Sequence, residues 1–395
     1  MKPKSSISGT VWILSFVSLF TDTASEMLYP VMPLYLRSIG FTILLIGVLE
    51  GVAEATAGLS KAYFGRLSDF TGKRMPFVQW GYGLSAISKP LMALFVTPVY
   101  IFVIRTIDRL GKGLRTGARD AILSDEATPE TKGKIFGFHR SMDTIGAVIG
   151  PLAALLFLQF YPQHYKTLFV IALAPGLLAM FCSFLLKDRH FHQIANVAHI
   201  SFFSSFDYWK TSPALYKKLV LGLLVFTLFN SSDVFLLLKI KQSGLNDSEV
   251  IIIYVFYNLV YAIFAFPVGI WADKIGLKKM FITGLLIFVI VYFGMATVTN
   301  KWPFYGLFLL YGIYAAATEG ISKAWISNIT NKKETATAIG TYSGFQSICT
   351  LFASSLAGWL WYQFGASATF MLSAVSALLV IFYLSFIPFK KFKNL

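Results

Sequence analysis

Charge is what this 395-residue chain has least of. Asp, Glu, Lys and Arg together make up 13% of it, about half the roughly 25% of an ordinary soluble domain. So few charges speak against a water-facing globule. Cysteine is equally scarce, with Cys182 and Cys349 each inside an apolar run, so no disulfide framework is expected. Of the five histidines only His190 and His192 stand close together. They read as solvated loop residues, and neither a metal site nor a cofactor is expected. Missing too are His-Glu-x-x-His, Gly-x-Ser-x-Gly and any nucleotide-binding loop, so the chain is not expected to be an enzyme. Long alternations of apolar and polar residues are lacking as well, which excludes a transmembrane barrel.

What fills the chain is apolar residue after apolar residue. They reach 56%, with a mean hydropathy of +0.65. Runs such as Leu168–Leu186, Leu219–Leu238 and Phe281–Val298 approach the ~20 residues a helix needs to cross a ~30 Å hydrocarbon layer. The spacing predicts an all-α membrane protein of twelve transmembrane helices. The spans fall near 10–36, 42–64, 75–95, 98–121, 133–160, 166–186, 216–240, 250–271, 279–298, 303–326, 336–363 and 366–388. A net charge of +15 could suggest nucleic acid, but its distribution does not. Lys and Arg concentrate in alternate loops (65–74, 112–134, 187–218, 274–279, 332–333) and at both ends. That is the positive-inside pattern, with both termini cytoplasmic and the excess charge facing anionic lipid. The first span is too long for a signal-peptide core, so MKPKSSISGT is expected to be retained.

The polar stretch 187–215 divides the spans into two six-helix bundles, 1–186 and 216–395, and reads as a cytoplasmic linker. A repeat falls where this division predicts. GRLSDFTGKR at 65–74 returns as GIWADKIGLKK at 269–279, so that Gly65, Asp69, Gly72 and Arg74 recur as Gly269, Asp273, Gly276 and Lys278, all 204 residues on. Glycines allow close helix approach, and an aspartate at a span's end can accept from a neighbouring helix N-terminus. Asp69 is expected to meet the start of span 11 near Thr335, and Asp273 the start of span 5 near Thr131. Gly65, Asp69, Arg74, Gly269, Asp273 and Lys278 are therefore candidate conformational-gate residues. The bland alternative is a loop needed only for its positive charge.

The pattern Gly-x-x-x-Asp-x-x-Gly followed by Lys or Arg, present twice in register, resembles the loop signature of the major facilitator superfamily. Arg105 in Arg105-Thr106-Ile107-Asp108-Arg109 resembles the family's span-4 motif. Gly146-Ala147-Val148-Ile149-Gly150-Pro151 resembles its span-5 motif, with Ala153 and Ala154 where paired glycines are commonest. Ser25-Glu26-Met27-Leu28-Tyr29-Pro30 and Asp108-Arg109-Leu110-Gly111-Lys112-Gly113-Leu114-Arg115 are similar to a prokaryotic subgroup. The resemblance spans essentially the whole chain. It implies a secondary active transporter that moves a small organic solute by alternating access across the inner membrane of a prokaryote. The span-5 motif tilts this toward proton-coupled export by antiport.

Charges held inside spans are costly and rarely face lipid, so the working chemistry is sought there. Asp22, Glu26, Glu54 and Arg105 are the proton-coupling candidates, with Arg105 as the electrostatic partner of Asp22 or Glu26. Tyr29, Glu50, Lys61, Lys89, Asp108, Arg109, Arg140, Asp143, Asn230, Asp233, Glu319 and Lys323 are the substrate or cavity candidates. Arg140 with Asp143 and Glu319 with Lys323 could equally be ion pairs within one helix. The bases at 61, 89, 105, 109, 140 and 323 keep a second reading open, namely proton-coupled import of an organic anion such as a polycarboxylate or iron chelate (a siderophore). Expected partners are the small-molecule substrate, protons and membrane lipid. Nucleic acid is not among them, and a monomer is expected.

Overall fold

The computed structural model describes residues 7–29, 31–41, 43–187, 207–231, 233–245 and 247–387. Within them the chain is helical and contains no strand. Helices α1 (Gly9–Leu28), α2 (Met32–Ser38), α3 (Ile43–Thr71), α4 (Met75–Leu91), α5 (Pro98–Asp125), α6 (Lys132–Phe160), α7 (Tyr165–Ile171) and α8 (Leu173–Phe184) form the first half. After the short α9 (Tyr208–Thr211) come α10 (Ala214–Phe229), α11 (Asp233–Gln242), α12 (Asp247–Ile275), α13 (Leu277–Thr297), α14 (Lys301–Ile329) and α15 (Thr335–Phe386). Gly365, at φ +84°, breaks α15 into two spans, a turn that glycine alone makes without a Cβ penalty. The first, sixth and seventh spans are each split in two, as α1/α2, α7/α8 and α10/α11. Together these make the expected twelve crossings in two pseudo-symmetric six-helix bundles. Pro30, His190, His192 and most of the 187–215 segment lie outside the described residues.

The repeat is structural as well as textual. Shifting α3 by 204 residues gives 247–275, the bounds of α12. The same shift carries α4 onto α13, α5 onto α14, and α6 onto the first span of α15. Packing repeats with it, since α5 packs on α3 and α4 as α14 packs on α12 and α13.

Two compact units emerge, each borrowing from the other half of the sequence. One comprises 1–127, 142–211 and 331–344, and the other 128–141, 212–330 and 345–395. The first turns of α6 thus pack within the second unit, and the first turns of α15 within the first.

The sequence expectation erred on the length of the fourth span. It closes the span at 121 and counts Lys112, Arg115 and Arg119 with the cytoplasmic charges, whereas α5 runs on to Asp125 and buries both arginines. Each has found a partner inside the bundle, which removes the reason for a charged residue to end a span.

Candidate functional site

Helix α5 carries Arg105, Asp108, Arg109, Lys112, Arg115 and Arg119 along one stripe. Two glycines wedge it between its neighbours. A Cβ at Gly111 would lie 2.8 Å from the Gly81 carbonyl oxygen of α4, and one at Gly113 would collide with Ser60 of α3. The stripe is thereby pressed against charged faces of both. Arg105 donates to the two carboxylate oxygens of Glu50, at 3.0 and 2.9 Å, and reaches Asp108 at 3.4 Å. Lys89 lies 3.6 Å from Asp108, which also accepts from Ser85 at 2.7 Å. Arg109 stands 3.2 Å from Glu54 and 3.8 Å from Glu50. Three acids are matched by three bases, of which Glu54 is exposed and Glu50 half-buried among the acids.

This arrangement corrects one expectation. Arg105 is not the partner of Asp22 or Glu26, because the bidentate grip of Glu50 and the proximity of Asp108 occupy it. Asp22 instead lies near Asp143 of α6, Glu26 and Lys112. Asp143 also accepts from the hydroxyl of Ser18, which in turn accepts from Arg119 at 3.3 Å. Arg119 is itself held by two 3.0 Å bonds to Asp120. The glycines of the span-5 motif explain how α1 and α6 approach so closely. A Cβ at Gly146 would strike the Leu19 carbonyl, and one at Gly150 would come within 2.6 Å of the Thr23 oxygen and the Met27 nitrogen. The motif therefore packs on the very turns that carry Asp22 and Glu26. Tyr29, at the end of α1, is exposed. Lys61 is half-buried on α3.

In the second unit the break between α10 and α11 gathers polar groups at membrane depth. Tyr292 donates to the Asn230 side chain at 3.0 Å and lies 3.1 Å from the Ser231 carbonyl, satisfying backbone that the broken helix leaves open. Asp233, at the start of α11, accepts from Tyr311 at 2.5 Å. The rings of Tyr257 and Tyr314 pack on Tyr311 with centroids 5.0 and 5.2 Å away. Nearby, Arg140 pairs with Glu319, and Tyr261 bridges them, accepting from Arg140 at 2.5 Å and donating to Glu319 at 3.0 Å. Lys323 follows Glu319 by one turn, half-buried. Sequence reasoning did not single out Ser18, Arg119, Tyr261 or Tyr292 as site residues. Serine and tyrosine are common in apolar helices, and no local signal marks those that meet a distant charge.

The repeated loops form two clasps. Asp69 accepts from both the backbone N–H and the hydroxyl of Thr337, at 2.7 and 2.9 Å. Asp273 accepts from the N–H groups of Gly133 and Lys134, at 2.7 Å each. Since 133 shifted by 204 is 337, the two contacts are symmetry mates. Bare glycine backbone permits both, as a Cβ at Gly65 would sit 2.5 Å from the Ala336 oxygen and one at Gly269 would strike Gly133. Arg74 reinforces the first clasp through Asp69 at 3.3 Å, Asp125, and the Lys332 carbonyl at 3.3 Å. Its counterpart Lys278 caps the far end of α15, donating to Ser385 and Ile387 at 2.9 and 2.8 Å. Asp69 lies beyond the 42–64 span. Burial pushes its carboxyl up to about 6, against the opposing pull of Arg74 and the Thr337 donors.

Comparison with known proteins agrees with this architecture. The profile of the Major Facilitator Superfamily matches residues 14–246 and 219–394. An uncharacterised MFS-type transporter of Methanocaldococcus jannaschii is 33% identical over 386 residues, 95% of each chain. A staphyloferrin B transporter of Staphylococcus aureus is 29% identical over 147 residues, 36% of this chain and 34% of the relative. The crystal structure of the human organic anion transporter MFSD10 superposes with a TM-score of 0.79 at 18% identity, covering 95% of this chain and 98% of that one.

Proposed function

The chain belongs to the major facilitator superfamily, and from that membership we propose a proton-coupled secondary active transporter of a small organic solute, working by alternating access. The bundles 1–186 and 216–395, joined by 187–215, are its moving parts. The observation that carries this reading is the Asp22–Asp143 pair. Two carboxyl groups brought this close inside a membrane span repel when both are ionised, so one of them holds a proton. Removing that proton leaves two adjacent anions that push α1 and α6 apart along the glycine seam at Gly146 and Gly150. Proton transfer is thus tied mechanically to a helix contact. Release of the Asp69 and Asp273 clasps is the accompanying gate movement.

The seam favours export by antiport, since the proton-bearing pair sits on the span-5 motif. Import of an organic anion is the second reading, motivated by the bases at 61, 89, 105, 109, 140 and 323. In either direction the protein lies in the inner membrane of a prokaryote with both termini cytoplasmic.

Proteoliposomes that trap a pH-sensitive dye test the proposal. Addition of transported solute should move protons in the wild type and none in D22N or D143N. Equal proton movement in all three would refute it.

A further inference from the structure

Lys112 is unlike every other cation on α5. Arg105, Arg109 and Arg119 are paired with carboxylates. Arg115 is buried, with its guanidinium over the Tyr82 ring at 4.5 Å and 3.4 Å from the Gly81 carbonyl. Lys112 is exposed and forms no ion pair among the described residues. It lies deep in the bundle, about 20 Å from each end of α5 at ~1.5 Å per residue.

That exposure is not exposure to lipid. Val99 and Val103, 76% and 51% exposed, mark the lipid-facing side of α5. Nine residues separate Val103 from Lys112, which is about 180° at ~3.6 residues per turn. Lys112 therefore points the opposite way, along the stripe that holds Arg105 and Arg109. Its charge is felt by Asp22 and Glu54 without direct contact. A bare ammonium at this depth needs water or a ligand.

Nor does the fold require it. The 204-residue shift that preserves helix bounds and clasps places Ala316, buried, at the position matching Lys112. The neighbouring acids do not use it up either. Glu50, Glu54 and Asp108 have their ion pairs with Lys89, Arg105 and Arg109. Lys112 is left as the exposed cation of the stripe, without an ion pair of its own among the described residues.

We propose that Lys112 is the anchor for the carboxylate of an anionic substrate, bound in the first unit at the exposed face of α5 near Asp22 of α1 and Glu54 of α3. This deepens the transport reading and rests on it. A point-charge ammonium suits a carboxylate approaching from water, where the three nearby arginines are already committed.

The test uses purified full-length protein with succinate and citrate as probes, their methyl esters as uncharged controls, and tetraphenylphosphonium as an organic cation. At least one of the two carboxylates should raise the thermal midpoint of the wild type and of K112R. The esters should not. K112Q should bind at least tenfold more weakly while keeping the ligand-free midpoint of the wild type. Equal carboxylate binding by K112Q and wild type would overturn the anchor, as would a wild type stabilised only by the cation or the esters, or by none of the probes. Proton movement in proteoliposomes separates the two levels. If the wild type couples protons to one of these solutes and K112Q does so equally well, the anchor fails while transport stands. If the wild type couples protons to none, the transport reading fails with it.

Discussion

At the scale of single residues, the chemistry of this protein lies in which charges have partners. Asp22 and Asp143 stand 121 positions apart in the sequence, and nothing local in either helix announces their meeting. What could be read was that Asp22 lies on a membrane span without a basic residue one turn away. What could not be read was the rotation of α1 against α6, which decides between Arg105 and Asp143 as the partner. The glycines at 146 and 150 were legible both as a motif and as packing material, and the structure unites the two readings. Substituting Gly146 with valine should drive a side chain into the Leu19 carbonyl. Overpacking of this kind costs about 1–3 kcal/mol, so a lower thermal midpoint and at least a tenfold loss of solute flux are expected. Replacement with serine, the smallest polar substitute, should be milder in both assays. At the first clasp, D69A removes an acceptor of two hydrogen bonds from Thr337. Charge-assisted bonds of this type contribute about 1.5–3 kcal/mol. The variant should expose a cysteine placed at position 337 to a water-soluble maleimide faster than in the unmutated background.

Among helices, the repeated loops were the most legible feature, because Gly65/Gly269 and Asp69/Asp273 announce themselves twice at one spacing. The helices that receive them were legible only to within a few residues. Asp69 was expected near Thr335 and meets Thr337, while Asp273 was expected near Thr131 and meets Gly133 and Lys134. The breaks in the first and seventh spans were not drawn from the sequence, although Pro30 stands at the one and Asn230, Ser231, Ser232 and Asp233 at the other. The length of α5 escaped it too, because pairing of Arg119 with Asp120 and burial of Arg115 cannot be seen without neighbours. The Asp69 clasp carries a pH dependence whose sign follows from its environment. When buried, this carboxyl titrates near 6, and when released it returns to its ordinary value of 3.8. The clasped form therefore binds more protons between those values, so it gains stability as pH falls through 6 and loses it as pH rises. The Arg74, Asp125 and Glu334 side chains lie in the same region. The expected outcome is slower labelling of the position-337 cysteine at pH 5 than at pH 7.5, after correction for thiolate reactivity with a cysteine in an exposed loop. In D69N that difference should shrink markedly.

For the whole molecule, the division of labour between the two halves is the main consequence. The 204-residue shift preserves the helices and clasps, yet it turns Glu50, Glu54, Lys89, Arg105 and Arg109 into Tyr254, Asn258, Phe293, Leu309 and Ile313. Asp22 and Asp143 become Phe226 and Ser347. The symmetric set recurs in both halves, whereas these charges stand in one half only. The bias of Lys and Arg toward alternate loops predicts that a C-terminal fluorescent-protein fusion will fluoresce while a C-terminal alkaline phosphatase fusion stays inactive. The reverse result would invert the assignment of sides. The central claim is that Asp22 and Asp143 share the transported proton, and infrared spectroscopy of the reconstituted protein tests it most directly. At neutral pH the wild type should show the C=O stretch of a protonated carboxyl group, shifted by deuterium exchange and abolished when solute drives proton release. D22N and D143N should each lack that band and its response. Persistence of the same solute-sensitive band in either variant would contradict the account.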